Sequence, residues 1–517
     1  MRSIYGRLHR RFGRRLTGVE RKRRTKAHYE RLRRALPIDF FTQSRRASGA
    51  SKGSVLILGG GFAGMSAGSA LANTGFDVTV VEAVSAVGGR VSSPNGGVVP
   101  GRIIERGGEL IGLNHPLWLL YANLLGLGLS VLTTDDIFEG EGFSSPVSLG
   151  GQSYTSAQAL ALYEAMSGVF AGWCSTALTT LPRSAPWHPW TISNASTLDG
   201  QSLASNIPST GSVGAGLTWQ DVINAITLTF YLNNTVDPSQ QSWLANLAQF
   251  SAGSWDAPSH DPTGFFDDTE VLRCESGNQQ LAITLAEIIT NQGGSILYGT
   301  TVSSLTTSSS GVTATIGSDS QTFDYAIIAV PVSKLPGITI NGQSVSATSH
   351  NSAVKYLAAT DSRFWIPQLI APTALSDQIG MTWEGTDNQM NTTADAIELS
   401  VFAGGAIADN AINAPDPATF FQDALNGLYG QQSYLENSQF VNWPSVQNIG
   451  TGYSCPSINQ VVNLQQTYAG AIQGIVFIAG EHASPAWFGF MEGALESGIA
   501  AAMNVVQAVG IDVPMPR

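Results

Sequence analysis

One short segment, residues 55–82, constrains the fold more than any other part of the sequence. An apolar run at 55–58 suits a buried parallel strand and leads into the glycine-rich stretch 59–64, which reads GGGFAG. Apolar residues then recur at helical spacing, and a second apolar strand at 78–81 ends at Glu82. The order of strand, glycine-rich turn, helix, strand and acid predicts a βαβ unit of the Rossmann type.

The residue types of this unit predict that it binds a dinucleotide. Gly59, Gly61 and Gly64 form the pattern GxGxxG, which lets the backbone approach a pyrophosphate at the N-terminus of a helix. Glu82 can accept hydrogen bonds from the ribose hydroxyls of adenosine, and its charge disfavours a 2′-phosphate. The unit therefore predicts NAD or FAD, and by itself it does not separate the two.

The charges of the chain are divided between a basic N-terminal arm and an acidic body. Residues 1–46 contain 16 basic and 3 acidic side chains, which leaves 10 of the 26 basic and 35 of the 38 acidic residues for the remainder. We expect no nucleic-acid partner, because a body this acidic repels phosphate.

Apolar residues in the arm, at Ile4, Leu8, Phe12 and Leu16, follow helical spacing and predict one or two basic amphipathic helices. Such helices can pack on the acidic body, join the subunits of a homo-oligomer, or contact an anionic membrane surface. All three roles remain open from the sequence.

Cysteine and targeting patterns favour a cytoplasmic protein, with peripheral contact at a membrane as the alternative. Cys174, Cys274 and Cys455 lie far apart and offer no disulfide framework. The seven histidines are scattered, so we predict no metal site. Paired arginines near the N-terminus are followed by further charges rather than an apolar segment, which argues against a signal peptide.

Three further motifs, separated along the chain, point to one family. The sequence GGR stands at 88–90 and ERGGELIG at 105–112, while FIAGEH at 477–482 is followed by WFGFMEGA at 487–494. In this order the motifs resemble those of the flavin amine oxidase superfamily, which includes monoamine and polyamine oxidases and L-amino acid oxidases. The resemblance covers residues 53–507 and is specific, because each motif has its own position relative to the dinucleotide fingerprint.

The resemblance implies FAD as the cofactor. In the family the GGR turn wraps the diphosphate, the second motif lies along the flavin, and the acid of AGE reaches the ribityl chain. The last helix directs its N-terminus at the flavin, where its dipole stabilises negative charge. In some members a cysteine just before the cage tyrosine bonds the flavin; this chain has Gly452 there, so we expect non-covalent FAD.

The implied cofactor contacts extend over all the matched segments. They are Gly59, Gly61, Phe62, Ala63, Gly64, Glu82, Ala83, Gly89, Arg90, Gly107, Gly108, Glu109, Val302, Trp443, Gly480, Glu481, Gly489, Phe490 and Met491.

The resemblance also implies three catalytic residues. Lys355, in an apolar stretch that Phe364 and Trp365 follow, resembles the lysine that holds a water against flavin N5. A lysine there is costly to bury without a partner, and the alternative is a strand-end lysine that reaches solvent. Tyr453 and Phe490 resemble the two walls of the aromatic cage that directs an amine to the flavin.

The substrate is less well specified than the cofactor. Animal-type L-amino acid oxidases place an arginine a few residues after the glycine pair, where this chain has Glu109 and Leu110. Either the substrate lacks a carboxylate, or another side chain binds it. The candidates for that role are Tyr453, Arg102, Arg106 and Arg363. Expected substrate contacts are Glu109, Leu110, Tyr453 and Gly489; Glu109 would face a cationic group or cap a helix.

The stretch GGELIG followed by Asn114, His115 and Pro116 resembles the sequences of bacterial L-amino acid oxidases and dehydrogenases more than those of animal monoamine oxidases. We therefore favour oxidation of an L-amino acid to the imine, then to keto acid and ammonia, with O2 or another acceptor reoxidising the flavin and O2 giving hydrogen peroxide. The alternative is oxidation of primary amines or polyamines. A non-catalytic flavoprotein tethered by its basic arm, and an oxidase of a carbon–carbon bond, are rivals from other classes.

The predicted fold is α/β, with a discontinuous Rossmann-type FAD-binding domain and an α+β substrate domain of mixed sheet and helices. The FAD-binding parts are 53–135, 270–340 and 445–510, the substrate parts are 136–269 and 341–444, and 1–52 form the basic arm and linker.

Overall fold

The computed structural model describes residues 51–132, 144–256, 264–387, 389 and 396–511. The basic helices predicted for the arm lie outside the described residues. No described helix combines the length and the apolar composition that crossing a membrane requires.

The described residues form 21 strands. In chain order these are β1 Ser54–Leu58, β2 Asp77–Glu82, β3 Leu129–Val131, β4 Val147–Leu149, β5 Gln152–Ser153, β6 Leu272–Cys274, β7 Ser295–Tyr298, β8 Ser304–Ser308, β9 Gly311–Ile316, β10 Asp319–Phe323, β11 Tyr325–Ile328, β12 Thr339–Ile340, β13 Gln343–Ser344, β14 His350–Asn351, β15 Ala353–Thr360, β16 Leu375–Ser376, β17 Gly380–Glu384, β18 Ile397–Gly404, β19 Gln439–Asn442, β20 Tyr453–Ser454 and β21 Val476–Ile478.

The described residues also form 12 α-helices. These are α1 Phe62–Asn73, α2 Pro116–Leu124, α3 Ser156–Thr180, α4 Ala195–Asp199, α5 Trp219–Asn234, α6 Trp243–Asp256, α7 Gly264–Asp268, α8 Gln279–Asn291, α9 Gly405–Ile412, α10 Pro417–Tyr429, α11 Gln466–Tyr468 and α12 Met491–Ala508.

A five-stranded parallel sheet is the first layer of the fold. Its order is β21-β11-β1-β2-β7, and β1 lies at the centre with β11 and β2 on either side. The apolar residues of β1 are fully buried because both faces of the sheet are covered, as parallel strands require. The strands come from widely separated parts of the chain, and the sheet confirms the α/β class predicted from the βαβ unit.

Helix α1 is buried along its whole length, packed among α8, α12 and the parallel sheet. It consists mostly of glycine, alanine and serine, so neighbouring backbones approach it closely. At Gly498 of α12 a Cβ atom would lie 2.3 Å from the carbonyl oxygen of Ala63 and 3.1 Å from Ser66 Cβ. The crossing of α1 and α12 therefore depends on the absence of a side chain at Gly498.

A second, seven-stranded sheet of mixed direction has the order β19-β15-β18-β17-β16-β4-β5. Its neighbours are antiparallel except for β16 and β4, which are parallel. The strands β15 and β18 are buried at every position, in a core shared with helices α3, α5 and α6. This mixed sheet with its helices agrees with the mixed sheet and helices that were predicted beside the Rossmann-type part of the fold. The boundaries of the two domains stay predictions.

The ends of four parallel strands meet at one cavity. Gly59 follows β1, Glu82 ends β2, Ala329 follows β11, and Gly480 follows β21, and all four residues line the cavity. Ligands of open α/β sheets bind at the carboxyl ends of the strands, so the fold places a candidate site here.

Two glycine-to-alanine variants test the packing of α12 on α1. Gly498→Ala should lower the free energy of unfolding by about 1–3 kcal/mol, because the added Cβ meets a backbone carbonyl that cannot move freely. Gly427 in α10 has no atom within 4 Å of an added Cβ, so Gly427→Ala should leave stability unchanged or raise it by about 0.5–1 kcal/mol. Thermal and denaturant unfolding measure both, and equal effects would contradict the close crossing.

Candidate active site

One cavity of about 830 Å³ contains nearly all the residues predicted from the sequence. Every predicted cofactor, catalytic and substrate residue lines it except Gly64. Gly64 lies in the first turn of α1, where a Cβ atom would stand 1.9 Å from the carbonyl oxygen of Gly59. Its place is therefore in the packing of the helix against the turn. Val302 lines the cavity from the connection between β7 and β8.

At one end of the cavity the glycine-rich turn is held by Glu82. The carboxylate of Glu82 accepts hydrogen bonds from the backbone N–H of Gly60 at 2.6 Å and of Val84 at 3.0 Å. Gly59 has a φ of 109°, a left-handed conformation that favours glycine, and α1 begins at Phe62 immediately after the turn. The unpaired N–H groups of the first helical turn thus lie at the cavity.

These residues fit the diphosphate and ribose of a dinucleotide. A Cβ added at Gly61 meets no atom within 4 Å, and one added at Gly89 would meet only the Cα of Gly61, so two bare backbone segments form an open cradle. The donors around the cradle are helix N–H groups and the guanidinium of Arg90, which together suit an anion.

Arg90 and Glu481 join three separate segments at the middle of the cavity. The carboxylate of Glu481 accepts from Arg90 Nη1 at 2.9 Å, Ser454 Oγ at 2.6 Å and the N–H of Gly489 at 2.8 Å. Arg90 Nη1 also donates to the carbonyl of Gly452 at 2.9 Å. Burial alone would raise the pKa of Glu481, but Arg90 and the other donors hold that pKa below its ordinary value. The acid expected to reach a ribityl chain is therefore held by the protein.

Lys355 is buried, with 4% of its surface exposed, and has the partner that its burial requires. Its Nζ donates to Glu109 Oε2 at 2.7 Å and to the backbone carbonyl of Glu105 at 2.9 Å. The same Nζ lies 5.3 Å from the ring centroid of Trp383. The alternative of a strand-end lysine that reaches solvent is therefore wrong.

Glu109 is the centre of this buried cluster. Its Oε1 accepts from Arg273 Nη2 at 2.5 Å, Arg273 Nε at 3.0 Å and Trp383 Nε1 at 2.9 Å. Burial alone would raise the pKa of Glu109, but Lys355 and Arg273 lower it to about 2. The structure differs from the hypothesis that Glu109 caps a helix or faces a cationic substrate group, because both carboxylate oxygens are already bound by protein cations.

Two residues of the cluster were missed by sequence reasoning. Arg273 stands in β6 between the buried Leu272 and Cys274, and a cation flanked by apolar residues in a body with few basic residues was the available signal. Glu398 is fully buried in β18, where Ser400 Oγ donates to its carboxyl at 2.8 Å. A charged residue between Ile397 and Leu399 in an apolar stretch was the available signal.

The two predicted cage rings, Tyr453 in β20 and Phe490 before α12, both line the cavity. Tyr453 is nearly parallel to Phe402, with ring centroids 6.4 Å apart and an interplanar angle of 19°. Phe490 precedes α12 and packs edge-on against His115 at 5.5 Å. Gly489 directly precedes Phe490 and has a φ of 78°, and a Cβ added there would lie 3.1 Å from Tyr453 Cδ2, so a side chain would crowd the tyrosine ring.

The structure excludes two of the four residues that were candidates for binding a substrate carboxylate. Arg102 and Arg363 do not line the cavity: Arg102 donates to the carbonyl of Thr386, and Arg363 Nη2 pairs with Glu384 at 2.7 Å. The hydroxyl of Tyr453 donates to the carbonyl of Asn233 at 2.8 Å, so its proton is already used. Among the three arginine candidates, Arg106 lines the cavity.

A double-mutant cycle tests the buried ion cluster. Glu109→Gln should lower the free energy of unfolding by about 3–5 kcal/mol, because it leaves two buried cations without their carboxylate. Combined with Lys355→Met, the loss should be smaller than the sum of the two single losses, since one stranded charge is then removed. Denaturant unfolding measures all three variants, with the exposed Glu164→Gln as control. Strictly additive losses would contradict the contact.

Glu398 should make the stability of the protein depend on pH. Burial raises the pKa of Glu398 from 4.5 to about 8, and the charge of Glu109 adds to this shift. The folded state then binds more protons than the unfolded state in this range, so the free energy of unfolding falls as the pH rises through it.

Glu398→Gln stays neutral and should reduce this fall, by up to about 1.4 kcal/mol per pH unit, while Glu105, whose pKa burial raises to about 7, keeps its own contribution. Denaturant unfolding at about pH 5 and about pH 8 measures the change. Wild-type protein and variant with the same pH dependence would show that Glu398 does not titrate as the geometry indicates.

Known proteins support the resemblance found in the sequence. The family model described as flavin containing amine oxidoreductase matches residues 62–195 and 198–506. An L-amino acid dehydrogenase of Synechocystis sp. is 26% identical over 477 residues, which cover 87% of this chain and 94% of that protein. The solved structure of putrescine oxidase bound to putrescine is 17% identical in sequence, with a TM-score of 0.69. The match covers 88% of this chain and 99% of that chain.

Cyclohexylamine oxidase from Brevibacterium oxydans is 20% identical with a TM-score of 0.70, and the match covers 89% of this chain and 100% of that chain. The two solved structures show a shared fold over almost their full lengths. The family match spans most of the chain, including the helix that follows the glycine-rich turn, the buried lysine and both cage rings. The chain therefore belongs to the family of flavin-containing amine oxidoreductases.

Proposed function

We propose that this enzyme uses non-covalently bound FAD to oxidise the C–N bond of an L-amino acid. The product is the imine, which water converts to a keto acid and ammonia. One observation carries the proposal: a single cavity joins the dinucleotide cradle to the buried Lys355 and to the rings of Tyr453 and Phe490. An L-amino acid is favoured because the relative named as an L-amino acid dehydrogenase aligns over nearly its whole length.

The residues of the cavity suggest how FAD would be held. The N-terminus of α1 and Arg90 would bind the diphosphate, and Glu82 the adenosine ribose. The N-terminus of α12, which begins at Met491 on the cavity, would stabilise negative charge on the flavin ring. When bound, FAD would supply the redox chemistry by accepting a hydride from the carbon that bears the amine.

Non-covalent binding is supported by the lack of a suitable side chain. At Gly452 a Cβ atom would lie 2.4 Å from Ala353 Cβ, so no cysteine fits the position from which some relatives bond the flavin. Cys174, Cys274 and Cys455 are buried and do not line the cavity.

Lys355 is proposed to position a water molecule beside the reacting centre. Two of the three N–H groups of its ammonium are bonded, to Glu109 and to the carbonyl of Glu105. The third remains available to donate into the cavity. Tyr453 and Phe490 would direct the amine nitrogen, and the apolar lining around them would exclude water and favour the neutral amine.

Oxidation of primary amines or polyamines is the second candidate function. The arginine expected a few residues after the glycine pair is missing, and Arg102 and Arg363 lie away from the cavity. The solved structures with this fold are named for putrescine and cyclohexylamine. The electron acceptor is equally open, since the relatives are named both as dehydrogenase and as oxidase. For the basic arm we keep packing on the acidic body, contact with a second subunit and contact with an anionic membrane as alternatives.

An anaerobic substrate panel tests the function. Purified enzyme should show bleaching of its flavin absorbance with at least one L-amino acid and not with the D isomer, followed by peroxide or dye reduction when O2 or a dye is added. Bleaching by decarboxylated amines or polyamines alone would favour the second candidate, and an inert flavin would point to a non-catalytic flavoprotein. Denaturation should release the flavin into solution.

Lys355→Met gives a second measurement in the same assay. We expect this variant to retain FAD and to be reduced by substrate, while the return of flavin absorbance on admitting O2 becomes slower. Lys52→Met changes an exposed lysine and serves as the control. Unchanged reoxidation in Lys355→Met would remove Lys355 from the mechanism.

A further inference from the structure

One wall of the cavity consists of polar residues from α5, from α6 and from the segment that follows α7. These residues, which we call the polar wall, are Asn234 at the end of α5, Gln249 in α6, and Thr269 and Glu270 after α7. Gln249 Nε2 donates to the carbonyl of Phe488 at 3.1 Å, two residues before the predicted cage ring Phe490. The polar wall therefore lies next to the rings between which the amine is proposed to bind.

Most hydrogen-bond donors at this end of the cavity are used within the protein. Asn234 Nδ2 donates to two other side-chain amides at 2.8 Å and 3.2 Å, and Thr269 Oγ1 donates to the carbonyl of Phe265. Beside the wall, Tyr453 Oη donates to the carbonyl of Asn233 at 2.8 Å. Few donors thus remain here for an anionic group of a substrate.

The amide oxygens of the polar wall, in contrast, are unpaired. Gln249 is 3% exposed and Asn234 is 6% exposed, and neither Gln249 Oε1 nor Asn234 Oδ1 accepts a hydrogen bond from a described residue. Unlike Asn233 Nδ2, which protein atoms enclose, both oxygens keep a surface open to the cavity. Buried amide oxygens are normally paired, so these two indicate a ligand that donates hydrogen bonds.

Glu270 adds a negative charge to the polar wall. It is buried and has a φ of 65°, a left-handed conformation that costs energy for a residue with a side chain. The C-terminal end of α5 contributes a further partial negative charge. Among the described residues, the cations that line the cavity belong to other segments; they are Arg90, Arg106, Lys334 and Lys355. The polar wall is therefore negative and rich in acceptors.

We propose that the polar wall binds the positively charged side chain of a basic L-amino acid, so that lysine or arginine is preferred over a neutral amino acid. This inference rests on the proposed function. An ammonium group has three N–H donors, a guanidinium has five, and neither has an acceptor, so both match a wall of acceptors. Pairing with Glu270 would be a charge-assisted hydrogen bond, which is stronger than a neutral one. A neutral aliphatic side chain would leave the amide oxygens without a donor.

Pairs of matched substrates test the inference on the wild-type enzyme. L-norleucine has the carbon chain of L-lysine without the ammonium group, and L-citrulline has the shape of L-arginine without the charge. Within each pair, kcat/KM should be about 10- to 100-fold higher for the charged member, because only that member makes the charge-assisted hydrogen bonds. An equal or higher value for the neutral members would overturn the inference.

Glu270→Gln removes the charge of the wall and keeps its shape. The preference for the charged member of each pair should fall about 10-fold or more, while kcat/KM for L-norleucine should stay within about twofold. The Kd of the 2-hydroxy analogue of L-arginine, followed by the flavin spectrum without turnover, should rise by the same factor as the preference falls.

A second substitution and a matched control complete the design. Glu270→Asn takes the place of Glu270→Gln if that variant fails to bind FAD, because asparagine adopts the left-handed conformation more readily than most residues. Glu275 is also a glutamate of this segment, but it is exposed and does not line the cavity. Glu275→Gln should therefore leave every constant unchanged.

The outcomes distinguish this inference from the proposed function. An enzyme that oxidises amines and no L-amino acid overturns both. An enzyme that oxidises neutral L-amino acids at least as well as lysine and arginine overturns this inference alone, and so does a preference that Glu270→Gln leaves unchanged. A preference for both charged substrates that is lost in Glu270→Gln and kept in Glu275→Gln supports the inference.

Discussion

The contact between Lys355 and Glu109 is the interaction on which the site depends. A lysine ammonium is costly to remove from water, and here it is buried at the wall of the cavity against one carboxylate. Glu109 in turn accepts from Arg273 and Trp383, so the cluster joins the GGELIG segment, β6, β15 and β17. Replacing a whole buried ion cluster by apolar residues often changes the free energy of unfolding little, whereas removing one charged partner lowers it strongly. The cluster therefore specifies how β6 and the GGELIG segment meet the mixed sheet more than it stabilises their contact.

A second carboxylate is used in the same way at the middle of the cavity. Glu481 holds Arg90, Ser454 and the backbone of Gly489, and so orders the segments on both sides of the cage tyrosine. In both clusters the acid accepts from protein donors, and the acid and one cation, Lys355 or Arg90, line the cavity together. These two cations of the acidic body are thus kept in place by acids at positions that a ligand would contact.

The sequence predicts features that depend on neighbouring residues in the chain, and it does not reveal contacts between residues that are far apart in the chain. The βαβ unit follows from periodicity and from the glycines between 59 and 64, and Lys355 stands out because a cation interrupts an apolar strand. Its partner Glu109 is 246 residues away, and no spacing rule connects the two. Arg273 and Glu398 acquire their roles only when β6 and β18 bring them close to Glu109. The predicted role of Glu109 failed for the same reason.

The close crossing of α1 and α12 at Gly498 has a consequence for the choice of cofactor. Both helices begin at the cavity, α1 at Phe62 and α12 at Met491, and their contact at Ala63 makes them one rigid unit. The separation of the two helix N-termini is therefore set by packing and not by the ligand. A flavin mononucleotide has the same ring, ribityl chain and inner phosphate as FAD, so it would span the same two helix ends and would lack only the groups beyond them. The adenosine end of the cavity at Glu82, and not the spacing of the helices, would therefore favour FAD.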